Sequence, residues 1–177
     1  MTVTIPTIYN PDGIDANGMN SVVLVPAIAD TNAPTVAEMS AGIVISCALD
    51  GFTTSVELSR LTYKKYCDKN NRQRSGTETW SYENLIVEDD PQRVDTSGMF
   101  DYLDEIVVGQ KYWLVDIRGI DAKEWEPAAG QHVDVHPITV DTQKRGDYDP
   151  NAEGATHKRE YIISAAGDIA FDVEVVA

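Results

Sequence analysis

Residues 132–136 read His-Val-Asp-Val-His. A strand period of two would set His132, Asp134 and His136 on one face, two imidazoles and a carboxylate arranged like a facial metal-ligand set. The same spacing describes the polar face of a strand whose Val133 and Val135 turn inward. No cysteine or third histidine lies at ligand spacing, so no metal is assigned and the three residues stand only as candidates. Asp147, Asp149, Asn151 and Glu153 alternate like the opening of a calcium loop. Ala152 stands where the sharp turn needs glycine, and Lys158 where a bidentate glutamate belongs, so an acidic turn-rich loop is the better account.

Nucleophilic chemistry finds no more support. Cys47 lies in an apolar strand segment and reads as core. Cys67 has cationic neighbours that could activate a thiol, but no partner base is identifiable. There is no nucleophile elbow, no P-loop and no dinucleotide fingerprint. The 29 Asp and Glu side chains would let some acid–base pair be nominated anywhere, so their abundance points to nothing. Neither an enzyme activity nor a cofactor is assigned.

The sharpest anomaly is electrostatic. Residues 60–74, RLTYKKYCDKNNRQR, hold six cations against one anion inside a chain of formal charge −15. A duplex-DNA binder needs a surplus of Lys and Arg, and this chain has the opposite balance. An acidic partner protein or simple solvation of a hairpin tip are the remaining readings of the cationic run. At 177 residues with 42% hydrophobic content, the chain reads as one globular domain with a real core. Its longest apolar runs are too short to span a bilayer, and its first residues lack the pattern of a signal peptide. Two cysteines make no disulfide framework.

The elements that must position these residues are mainly β. Expected strands cover 21–28, 43–49, 55–63, 78–87, 111–118, 133–141, 159–165 and 169–176, rich in Val, Ile, Tyr and Trp. In the last, Ile169, Phe171, Val173 and Val175 are expected inward. One helix is expected over 97–109, capped by Ser97 and stopped by Gly109, with Met99, Tyr102, Leu103 and Ile106 on its core face. Trp80 and Trp113 read as core, and Trp125 as either a contact residue or a buried loop anchor. Residues 1–20 read as an extended arm, followed by a single domain over 21–177 with long loops at 64–77 and 141–158.

The stretches APTVAEMSAGIVISCALDGF (33–52), RQRSGTETWSYENLIVEDDPQ (72–92) and DEIVVGQKYWLVDIRGIDAK (104–123) resemble the major tail protein, or tail tube subunit, of long-tailed (siphovirus-type) bacteriophages. The resemblance is nearest to phages infecting actinobacteria. It implies an antiparallel β-sandwich, barrel-forming domain with one flanking helix, a fold shared with type VI secretion tube proteins. It also implies hexameric rings stacked into a hollow tube whose lumen is a continuous β-barrel. The implied partners are further copies of itself, a tape-measure protein inside the tube, and tail terminator and distal tail proteins at its ends. DNA would leave through the lumen without specific binding. The implied location is the virion tail, made and assembled in the host bacterial cytoplasm, without membrane insertion. Within that picture Lys64, Lys65, Tyr66, Lys69, Arg72 and Arg74 are expected in an inter-subunit or ring-stacking loop. A type VI secretion-like tube protein and a non-catalytic β-sandwich binding module are the alternatives.

Overall fold

In the computed structural model, residues 18–50, 52–67, 69–146 and 156–177 are described. The run SVVLV in β1 (Asn20–Val25) is buried at every position, because both faces of this strand are covered. Val22 and Leu24 point to one core with Tyr112, Leu114, Ile138, Val140 and Tyr161. Val23 and Val25 point to a second core with Met39, Val115, Ile117, Val133 and Val135. A single sheet therefore carries apolar side chains on both faces, alternating at the strand period of two.

That sheet has the order β2-β1-β6-β7-β8-β5, with β9 also pairing β7, and every pairing within it is antiparallel. Its strands are β2 (Ile43–Val44), β5 (Leu85–Glu88), β6 (Lys111–Arg118), β7 (His132–Arg145), β8 (Lys158–Ala165) and β9 (Ala170–Glu174). The sheet curls into a half-barrel, so the mainly β, antiparallel class expected from the sequence holds. β7 is its spine. It pairs β6 over 134–139, β9 over 132–135 and β8 over 138–145. Pro137, which has no N–H to give a ladder, sits where β7 passes from β9 to β8.

Each core is closed by a short helix. Helix α1 (Val36–Ser40) buries Met39 in the second core. It opens with a capping box, Thr35 Oγ1 accepting from the Glu38 N–H and Glu38 Oε2 accepting from the Thr35 N–H. The chain's end clamps it there: the Val36 N–H donates to Val176 O at 2.9 Å, and the Val176 N–H to Pro34 O at 2.9 Å. Helix α2 (Tyr102–Glu105) places Leu103 against the first core, and Ile106 follows it there.

Several expectations need correction. The helix over 97–109 shrinks to four residues, because Gly98 takes φ +85° and the Ser97 hydroxyl bonds Asp95 instead of capping. Met99, expected on its core face, is exposed. Residues 43–49 form a two-residue strand and then turns, which leaves Cys47 exposed rather than in the core. In β9 the inward set also slips. Asp172 takes φ +52° beside a register shift between Val133 and Val135, so Ala170 is buried and Phe171 is half-exposed. The loops at 64–77 and 141–158 are shorter at the ends described, since β4 (Arg72–Tyr82) and β7 extend into them. The arm at 1–20 is described only from Gly18, and the calcium-like run at 147–154 lies outside the described residues.

The two cores make different demands on stability from the surface. Leu114→Ala in the first core and Met39→Ala in the second are each expected to cost about 2–5 kcal/mol, through lost burial and an unfilled cavity. Leu61→Ala, on a half-exposed position of β3 (Thr54–Tyr63), is expected to stay within about 0.5 kcal/mol. Urea unfolding followed by tryptophan fluorescence measures all three.

Candidate assembly surface

Strands β3 and β4 stand apart from the sheet as a two-stranded antiparallel ribbon, with Thr54 opposite Tyr82 at the base and Tyr63 opposite Arg72 near the tip. The sequence builds this ribbon from β-formers, Val56, Leu58, Thr62, Tyr63, Thr77, Thr79 and Trp80. Their alternation never finds a core. Nearly every residue of β3 and most of β4 are exposed, including Val56, Leu58, Leu61 and Tyr63. Among the described elements, the ribbon's backbone comes close to the body at β8, and its base also meets β7 and β9 through side chains.

Midway along, two residues of β4 face one of β3, between the pairs Leu58–Glu78 and Arg60–Ser75. The Thr77 N–H donates to Ser59 Oγ at 2.7 Å across this bulge, and a Cβ on Gly76 would fall 2.3 Å from that oxygen. A side chain at position 76 would therefore displace the Ser59 hydroxyl from this bond.

The cationic residues picked out by the sequence gather at the free end. Lys64, Lys65, Tyr66 and Lys69 form the turn region, and Arg72 and Arg74 open β4. All six are exposed, and Tyr66 is fully so. Arg74 lies over the Tyr63 ring at 5.8 Å, a cation–π contact that holds its charge on one face of the ribbon.

At the base an aromatic box joins ribbon to sheet. Trp80 packs on Phe171 with centroids 5.3 Å apart, and His136 meets Phe52, Tyr82 and Phe171 edge-on at 5.8–5.9 Å. His136 is buried, and its Nδ1 makes no hydrogen bond among the described residues. Burial pushes its pKa below the usual histidine value, against the smaller opposing pull of Asp134 and Asp116. Burial likewise pushes the Tyr82 phenol up to about 12.

The structure does not bring His132, Asp134 and His136 together as ligands. His132 Nδ1 lies 3.0 Å from Asp172 Oδ1, on the exposed rim. Asp134 accepts from the Asp172 N–H and faces Arg118, while His136 turns into the aromatic box. Among the described residues no three His, Cys, Asp or Glu side chains converge. Trp125 is the buried loop anchor of its two readings, its Nε1 donating to Gln131 Oε1 at 3.2 Å. Trp80 and Trp113, expected in the core, are only partly buried.

Sequence reasoning found the tip through its charge. It missed that the strands leading to the tip lack a core, because β3 and β4 have the composition of buried strands. It also missed α1, although Thr35 and Glu38 carry the spacing of a capping box.

A protein-family model described as phage tail tube protein matches residues 8–177. No curated protein matches the chain. Among solved structures, a chain of the cryo-EM structure of the anti-feeding prophage baseplate, 6-fold symmetrised, aligns with a TM-score of 0.42 and 11% identity. The alignment covers 95% of this chain and 96% of that one.

The buried histidine gives the base of the ribbon a pH dependence. An unfolded histidine titrates near 6.5, and folded His136 titrates lower, so the unfolded state takes up the proton first. Its contribution is therefore level above that value, and stability falls as pH drops from there toward the folded pKa. Urea midpoints at about pH 7.5 and about pH 5.5 are expected to differ more in the wild type than in His136→Phe.

Proposed function

The chain belongs to the phage tail tube protein family, which makes it a structural component of a virion tail. On that premise we propose that it is the major subunit of a siphovirus-type tail tube, in a phage of an actinobacterial host. Six copies form a ring, and rings stack around a tape-measure protein into the conduit through which DNA is ejected. Tail terminator and distal tail proteins close its ends. The role is architectural and needs no catalytic chemistry or cofactor.

The observation that carries this reading is the ribbon. A two-stranded hairpin is marginal in water, and among the described residues this one is met by the sheet only near its base and displays Val56, Leu58, Leu61 and Tyr63 to solvent. Among the described residues both outer edges lie outside any ladder of the sheet, which is the state that pairing with another chain removes. Ring closure would supply such partners in a continuous barrel. Lys64, Lys65, Tyr66, Lys69, Arg72 and Arg74 then lie at a subunit or ring boundary. An overall charge of −15 per copy suits a wall that must not hold the DNA passing along it.

The reading predicts rings or long hollow tubes in negative-stain electron microscopy of concentrated protein supplied with an initiating tail component. Replacing Lys64, Lys65, Lys69, Arg72 and Arg74 together by glutamate is expected to abolish tubes while circular dichroism and urea stability stay those of the folded monomer. Tubes of normal length and number from that variant would refute the role given to the tip.

A further inference from the structure

The root of the ribbon is built on one buried side chain. His136 of β7 meets the rings of Phe52 and Tyr82 at 5.9 Å and that of Phe171 at 5.8 Å, edge-on in each case. Phe52 stands just before β3 and Tyr82 ends β4, so both strands of the ribbon leave the body through rings that pack on this imidazole. Those two rings also stack on each other at 6.1 Å, and Phe171 carries the contact on to Trp80 at 5.3 Å. The Glu83 N–H donates to Thr53 O at 3.0 Å, a neck bond between residues adjacent to the two stacked rings. Beyond this level most of the ribbon is exposed, so its direction is set here.

The box is closed by ring contacts and apolar burial. Inside it the His136 Nδ1 and the Tyr82 hydroxyl both lie buried without a hydrogen-bond partner among the described residues, and each opposes closure because water would satisfy it. The root also has room to move. A cleft of about 460 Å³ borders Phe52 on the side of β1 and β6, and one of about 540 Å³ borders Thr53 and Tyr82 on the side of β5 and β8.

A proton on His136 would find its neighbours engaged elsewhere. On β7 itself Asp134 accepts from the Asp172 N–H at 2.8 Å. On β6 Asp116 accepts from Arg118 Nε at 2.8 Å, and the Arg118 guanidinium opposes a second positive charge nearby. The ribbon presents the Tyr82 phenol, which is neutral because burial pushes its pKa up to about 12. Phe52 and Phe171 bring no charge, and the Asp172 carboxylate beside Phe171 faces His132. Burial outweighs the pull of the two carboxylates and holds His136 below its ordinary value. An imidazolium would therefore carry a charged Nδ1–H donor into a site where Nδ1 has nothing to bond.

We propose that the aromatic box is a latch on the ribbon: neutral His136 holds the root against the body, and protonation of His136 opens the box and the neck bond while the two cores stay folded. In the released root the hydrated imidazole titrates near its ordinary value of about 6.5. The released form binds the proton more tightly than the shut form, so release increases as pH falls below that value. Between about pH 7.5 and about pH 5.5 the ratio of released to shut root rises by up to about tenfold, the limit reached when shut His136 takes no proton. The latch is a property of one chain and stands apart from the tail-tube reading. In a tube subunit it would govern the direction in which the ribbon meets a neighbour.

Amide hydrogen exchange on the dilute full chain, resolved by NMR and corrected for the intrinsic pH dependence of exchange, tests the latch. The Glu83 N–H reports the root, and the Leu114 and Val115 N–H groups, in a strand laddered on both sides, report the body. Glu83 is expected to be less protected than the body amides at both pH values, and its protection to fall by up to about tenfold from about pH 7.5 to about pH 5.5. In His136→Phe that fall is expected to vanish, and in His132→Asn to persist. Phe171→Ala, which removes one ring of the box, is expected to lower Glu83 protection at the higher pH at least tenfold. If His136→Phe does not fold, the wild type decides alone: the loss of protection must set in below about pH 6.5 and steepen toward tenfold per pH unit. Equal protection at Glu83 and in the body, a flat pH profile at Glu83, or a pH response unchanged in a folded His136→Phe would each overturn the inference. None of these results bears on assembly, so the tail-tube reading stands or falls by its own test.

Discussion

The rest of the architecture follows from one constraint: the central sheet is apolar on both faces. Val22 and Leu24 look one way from β1, Val23 and Val25 the other, and no rotation of the strand can expose either pair without loss. Each face therefore needs its own cover. The sheet supplies part of it by curling, so that β5 and β8 fold over the first core, and α2 closes the end. The second core is closed by α1, Trp125 and the C-terminal Val175. Among the described residues, the aromatic box meets β4 at the ribbon's base, and most of β3 and β4 beyond it is exposed.

What the sequence made legible follows the same division. β6 was read at its observed bounds because Lys111 and Gly119 bracket an uninterrupted β-forming run. The buried strands β1, β7 and β8 were placed within a few residues, since both-sided burial leaves a dense apolar signature. Errors fell where tertiary geometry overrode a local pattern. β9 alternates cleanly in sequence, yet the left-handed backbone at Asp172 shifts its inward phase, and no residue type announces that. Met99 keeps helical spacing with Leu103, but Gly98 takes a positive φ and residues 99–101 form turns, so the helix begins only at Tyr102. The metal-like triplet shared a strand face as expected, and the partners of its residues, Asp172, Arg118 and the aromatic box among them, come from other elements distant in the chain. The cationic tip was legible because charge is a property of composition. That it stands on unsupported strands was not, because β3 and β4 are written in the same alphabet as core strands.

The densest cationic run coincides with the projecting ribbon. Six of the 14 Lys and Arg lie in residues 60–74, and the other eight lie on the body, Arg118, Lys144, Lys158 and Arg159 among them paired with its carboxylates. A net charge of −15 opposes nonspecific association between copies.

The long spine β7 has a mechanical meaning. Because it ladders with β6 along one edge and with β9 and then β8 along the other, tension applied along it would load many parallel hydrogen bonds in shear. Shear requires those bonds to fail together, whereas peeling the ribbon from its tip breaks them one at a time. A subunit with this layout is stiff along the strand it shares with three neighbours and compliant at its projecting arm. In a filament that flexes, strain would concentrate in the joints between subunits and spare the interior of each.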